Sequence, residues 1–100
     1  MSLPIAWSPA SKDEYANLLQ YIEANFGLDA ALELLDITDQ VLDNISQHPK
    51  MYPASEKAPA IRKAVLTKQT SLFYRITDHD IQLLHFWDNR RNPNTLEYLI

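Results

Sequence analysis

Ser71-Leu72-Phe73-Tyr74-Arg75-Ile76-Thr77, a two-residue break at Asp78-His79, and Asp80-Ile81-Gln82-Leu83-Leu84-His85-Phe86-Trp87-Asp88 decide how this chain folds. Both runs are rich in β-branched and aromatic residues, and the break is too short for anything but an antiparallel hairpin. In the first run Leu72, Tyr74 and Ile76 alternate with Phe73 and Arg75, which predicts one clearly apolar face. A third run at residues 60–68, parted from the first by Gln69-Thr70, extends the hairpin to a three-stranded meander.

Upstream the apolar period lengthens to that of helices. Ser8-Pro9 reads as an N-cap followed by proline at the first helical position, and Ser11 with Glu14 offers a capping box one turn later. Tyr15, Leu18, Leu19, Ile22 and Phe26 form one stripe, stopped at Asn25-Phe26-Gly27. A second stripe, Ala31, Leu34, Leu35, Val41, Leu42 and Ile45, follows almost without a loop and stops at His48-Pro49. Two helices this close fold back as a hairpin and still need a sheet to cover. Ile5-Ala6-Trp7 is a short first strand, placed at a sheet edge, and residues 50–59 are a proline-containing loop. The expectation is a single α+β domain over residues 1–100: N-terminal strand, α-helical hairpin, then a three-stranded antiparallel meander, with the helices packed on one face.

Composition narrows the chemistry. The net charge is −4 and the pI about 5.2, which argues against purely electrostatic binding to nucleic acid. The chain has no cysteine, hence no disulfide framework and no thiolate nucleophile. Its single glycine, Gly27, excludes a glycine-rich phosphate loop. Nothing in the sequence asks for a metal or a cofactor. No apolar run approaches the roughly 20 residues that span a bilayer, and the first residues lack the pattern of a signal peptide, so a cytoplasmic protein without membrane partners is expected.

In this order and spacing the chain resembles the RelE/ParE superfamily of bacterial toxins, the plasmid stabilisation proteins. The resemblance rests on Trp7-Ser8-Pro9-Ala10, Lys12-Asp13-Glu14-Tyr15, Leu18 with Tyr21-Ile22, Phe26-Gly27 with Ala30-Ala31, and Pro49. It continues through Ile61-Arg62, Phe73-Tyr74-Arg75-Ile76 and Arg90-Arg91-Asn92-Pro93, covering residues 5–93. It implies the growth-inhibiting toxin of a type II toxin–antitoxin pair, held inactive by a cognate antitoxin. That antitoxin would wrap the toxin with its C-terminal segment, as an amphipathic helix or extended strand along the sheet edge and helix hairpin. RelE-like members are metal-independent endoribonucleases that cut mRNA in the ribosome. ParE-like members have no such chemistry and poison DNA gyrase.

The residues lean to the ParE-like branch, a toxin that binds and inhibits a cellular target and is not itself an enzyme. Metal-free RNA cleavage needs a base, an acid and cations around a phosphorane. The set available here is Arg62, Arg75, His85 and Arg90, in which His85 is the one proton-transfer group, and the sequence supplies it with no partner. The His-Tyr ending of one nuclease type is absent: the last strand ends Trp87-Asp88-Asn89. Arg75, Arg90, Arg91 and Trp87 are the candidate contacts to target or antitoxin, with the arginines converging on one end or face of the sheet. The structural alternative makes the arginines a solvated strand face and puts Trp7 and Trp87 in the sheet–helix core or a dimer contact. A mRNA endoribonuclease acting at the ribosome, and an attenuated orphan member serving as an interaction domain, are the alternative functions. A free sheet edge also allows a homodimer.

Overall fold

The computed structural model describes residues 2–56 and 58–89. A short strand β1 (Ile5–Trp7) leads into helices α1 (Pro9–Phe26) and α2 (Leu28–Gln47), and three strands follow: β2 (Ile61–Thr67), β3 (Thr70–Ile76) and β4 (Ile81–Asp88). The strands form one sheet in the order β1-β4-β3-β2, antiparallel except for the parallel pair β1 and β4. The first strand therefore lies at an edge, as expected, and the α+β order of elements is the one read from the sequence.

Each helix boundary has a local cause. The Ser8 hydroxyl accepts from the Ser11 N–H at 3.0 Å, and the Ser11 hydroxyl donates back to the Ser8 carbonyl at 2.9 Å. The cap is thus Ser8 with Ser11, and the expected Ser11–Glu14 box does not form: the Glu14 carboxylate is used elsewhere. Gly27, at φ +97° and ψ 168°, is the one residue between the two helices. Backbone in that region is essentially reserved for glycine, which lets α1 end and α2 begin without a loop.

The main core lies between the helices and one sheet face. Val41 and Ile45 of α2 meet Ala64, Leu66, Leu72, Tyr74, Ile81, Leu83 and Phe86. The α1 contribution comes through Tyr15, packed with Trp7 and Phe86 at ring separations of 5.5 and 4.7 Å. The other sheet face is not simply polar. Ile61, Phe73 and Trp87 form a second buried cluster there, so β3 is buried on both faces along most of its length. The alternation in β3 is real, but Phe73 belongs to this second apolar patch and not to a solvated face.

The two sheet edges are covered differently. Along β2, the loop after α2 adds a short rail: the Lys63 N–H donates to the Pro53 carbonyl at 3.0 Å and the Ser55 N–H to the Ile61 carbonyl at 2.7 Å. Along β4 the cover is β1, and it is only three residues long.

Candidate functional site

Because β1 ends at Trp7, opposite Leu83, the outer edge of β4 beyond that point has no strand partner among the described residues. The chain satisfies its first groups with α1. Ser8 donates its N–H to the Leu83 carbonyl and its hydroxyl to the Leu84 carbonyl, both at 3.2 Å. One turn on, the Glu14 carboxylate accepts the Phe86 N–H at 3.2 Å and lies 3.1 Å from His85 Nδ1. A carboxylate only accepts, so Nδ1 carries the proton in this contact. Past Glu14 the helix hairpin and the β4 edge diverge, leaving a groove of about 770 Å³. Leu18, Ile22, Ile37 and Phe86 line its apolar interior. Tyr21 and Phe26, 48% and 65% exposed, stand at its outer wall with their rings 6.3 Å apart. Its charged lining is Glu14, Glu33 and Asp88, and no Lys or Arg lines it among the described residues.

Arg62 and Arg75 do not converge. Arg62 pairs across the sheet with Tyr74, whereas Arg75 pairs with Ile61, so the two point to opposite faces. A bulge explains this. Pairing near the turn is Thr67 with Thr70, a register that carried on would set Arg62 directly opposite Arg75. The shift between Val65 and Thr67 slips the pairing by one residue and turns Arg62 over. Its guanidinium then donates to the Tyr52 and Lys50 carbonyls at 2.6 and 3.3 Å, pinning the loop after α2. Arg75 is exposed and donates to the Gln82 side chain at 3.3 Å. It sits near the β3–β4 turn, roughly 20 Å along the strand from Asp88. Arg90 and Arg91 lie outside the described residues, as does the tail tyrosine Tyr98.

A second bulge places His85. Between the Tyr74–Leu83 and Phe73–His85 pairs, Leu84 is left over. The slip sends Phe86 into the helix-side core and brings His85 to the strand edge, where Glu14 meets it. The sequence reading gave His85 no partner; the structure supplies one from 71 residues away. Trp87 is 3% exposed, but on the face away from the helices, with Ile61 and Phe73, and so is not part of the sheet–helix core. Trp7 does join that core, stacked on Phe86 at 5.5 Å.

Charge is unevenly divided. Residues 9–47 hold eight acids and one lysine, a net −7, whereas residues 50–100 hold eight Lys and Arg against five acids, a net +3. The overall −4 therefore divides along the sequence into an acidic helical half and a basic remainder. Two tyrosines of the core are shifted. Burial raises the pKa of Tyr74 to about 12, opposed by the nearby Arg62 charge, while its hydroxyl donates to the Pro49 carbonyl at 2.7 Å. Burial also raises that of Tyr15, offset in part by the Thr38 hydroxyl and reinforced by Asp39. Among the described residues no group of His, Asp or Glu is gathered to hold a metal ion.

No local sequence signal marks Glu14 as an edge partner: its spacing from Ser11 reads as a capping box, and only the brevity of β1 beside an eight-residue β4 hints that an edge needs other donors and acceptors.

Comparison with known proteins agrees with this architecture. Residues 5–93 match the family model of the ParE toxin of the type II toxin–antitoxin system parDE. None of the curated proteins compared matches the chain significantly. Among solved structures, the chromosomal ParDE system of P. aeruginosa superposes with a TM-score of 0.72 at 17% identity, over 87% of this chain and 96% of that one. A YoeB/ParE toxin from Agrobacterium tumefaciens gives 0.65 at 11% identity, over 87% and 99%. The E. coli DinJ-YafQ toxin–antitoxin complex gives 0.63 at 11%, over 90% and 96%. These likenesses show a shared fold, and the family match shows more: the chain belongs to the ParE toxin family of type II toxin–antitoxin systems.

Proposed function

We propose that the protein arrests bacterial growth by binding and inhibiting DNA gyrase, without chemistry of its own, and that a cognate antitoxin silences it by laying an amphipathic segment in the groove between the helix hairpin and the β4 edge. The observation that carries the first half is the dispersal of the groups a ribonuclease would need. Arg62 is committed to two loop carbonyls, His85 is held by Glu14, and Arg75 stands on the opposite face from Arg62. A phosphorane needs its cations and proton donors within hydrogen-bond reach of one another. An exposed Arg75 suits protein recognition instead. The second half is supported by the groove's apolar interior beside the β4 edge, a surface that a helix or strand can fill.

Ribosome-dependent mRNA cleavage is the second reading, favoured by the net +3 of residues 50–100, which removes the objection from overall charge. Tightly induced expression without antitoxin, with total RNA and plasmid topology sampled as growth stops, separates the two. Intact transcripts with relaxed plasmid support gyrase inhibition, and fragmented transcripts support the nuclease. Unimpaired growth with folded protein leaves an interaction domain.

A further inference from the structure

Past Glu14, little holds α1 to the rest of the molecule. Ser11 is the one buried residue of its eighteen; Leu18, Leu19 and Ile22 are half-buried, and Tyr21 and Phe26 are exposed. The groove runs beside this stretch from Asn17 to Phe26, about 14 Å at the helical rise. Two observations choose its occupant. The first is that the β4 edge is closed to an added strand. From Leu83 to Phe86, Ser8 already takes the Leu83 and Leu84 carbonyls, and Glu14 takes the Phe86 N–H. Strand addition needs those backbone groups, whereas a helix satisfies its own.

The second observation is charge. Seven exposed acids besides Glu14 stand on the two helices, and none of the seven pairs with a described Lys or Arg. Glu33 lines the groove, and Asp29 and Asp36 flank it at i−4 and i+3 on the same face of α2. A second copy presenting this face would set acid against acid. We infer that the groove receives a cationic amphipathic helix, its apolar side on Leu18, Ile22 and Ile37 and its Lys or Arg flank along Glu33. On the reading of the groove as the antitoxin's seat, the antitoxin segment that fills it is helical and basic along one flank.

Labelled synthetic peptides sharing one apolar pattern at i, i+3, i+4 and i+7 test this by fluorescence anisotropy against the full chain. One carries lysine at its polar positions, one carries glutamate, and a third is the lysine peptide with a central proline that breaks the helix. At about 50 mM salt the lysine peptide binds about tenfold tighter than the glutamate peptide, and the gap narrows at about 0.5 M. Glu33→Lys and Tyr21→Ser each weaken the lysine peptide about fivefold. Asp43→Lys, about 15 Å further along α2 and outside the groove, leaves it unchanged. Equal binding of the two signs, or an equal loss at Asp43, overturns the charge assignment and leaves the groove as a seat. A proline peptide that binds as well as its parent overturns the helix and assigns an extended occupant. Binding by none of the three overturns the reading of the groove as the antitoxin's seat as well. Light scattering on the chain alone covers the remaining case: a dimer that Tyr21→Ser dissociates assigns the groove to a second copy and overturns the inference. Circular dichroism confirms that each variant is folded.

Discussion

Glu14 and His85, 71 residues apart in sequence, meet at 3.1 Å where α1 crosses the outer edge of β4. The same carboxylate accepts the Phe86 N–H, so one side chain replaces a rung of the missing strand and fixes a histidine. Its loss is therefore felt in the fold before it is felt in any function. Glu14→Ala is expected to lower the unfolding free energy by about 1–3 kcal/mol, the range for losing a charge-assisted bond to a buried donor. Glu14→Gln, which keeps an acceptor, costs less. Urea denaturation of the two variants measures the difference, and equal stabilities would remove the strand-replacement role.

His85→Ala separates a positioned histidine from a catalytic one. If His85 serves the β4 edge alone, the variant still arrests growth when it is expressed as folded protein. A folded variant without toxicity would return His85 to the chemistry.

The two arginines on opposite faces should separate stability from function. Arg62→Ala removes two carbonyl contacts that hold the loop after α2 and is expected to cost about 1–3 kcal/mol. Arg75→Ala, at an exposed site with one long contact, should stay within about 0.5 kcal/mol of the parent while relieving growth arrest. Thermal melts and growth curves of both variants, side by side, check this, and a folded Arg75→Ala protein of full toxicity removes Arg75 from the target contact.

Gly27 isolates a backbone effect. A Cβ there would meet nothing within 4 Å, so Gly27→Ala is sterically free of neighbours. Its cost, about 1–3 kcal/mol, comes from the positive φ alone. With ψ 168° the residue lies outside the left-handed helical region where Asn is tolerated, so Gly27→Asn should lose as much as Gly27→Ala. Chemical denaturation of the pair tests this, and a clearly more stable Asn variant would contradict it.

Tyr74 sets an alkaline limit. Its pKa rises from 10 unfolded to about 12 folded, so the folded state keeps a proton that the unfolded chain gives up. Its contribution is whole below pH 10 and is lost as pH climbs through 12, by up to about 2 kcal/mol. Tyr74→Phe removes this part of the alkaline loss, although it also removes the bond to the Pro49 carbonyl. Unfolding free energies at pH 8 and near pH 11 for both proteins give the comparison.

Local signals in the sequence carried most of the fold. Ser8-Pro9, Gly27 and His48-Pro49 bound the helices because capping and φ restrictions act within one turn, and the short breaks at Gln69-Thr70 and Asp78-His79 leave only hairpins, which form within a residue or two of those positions. What escaped was register. One extra residue near Leu66 and another at Leu84 decide which faces Arg62, His85, Phe86 and Trp87 occupy, and no propensity announces a bulge. The second apolar face was equally hidden, because Ile61, Phe73 and Trp87 lie on three different strands and form a patch only once those strands are in register. The Glu14–His85 contact depends on both bulge and edge, and so belongs to the tertiary structure alone.

The most direct measurement is the state of the cell when growth stops after induction without antitoxin. The account predicts arrest with full-length transcripts and relaxed plasmid DNA, reproduced with purified protein as inhibition of gyrase supercoiling. Fragmented transcripts with normally supercoiled plasmid would contradict it.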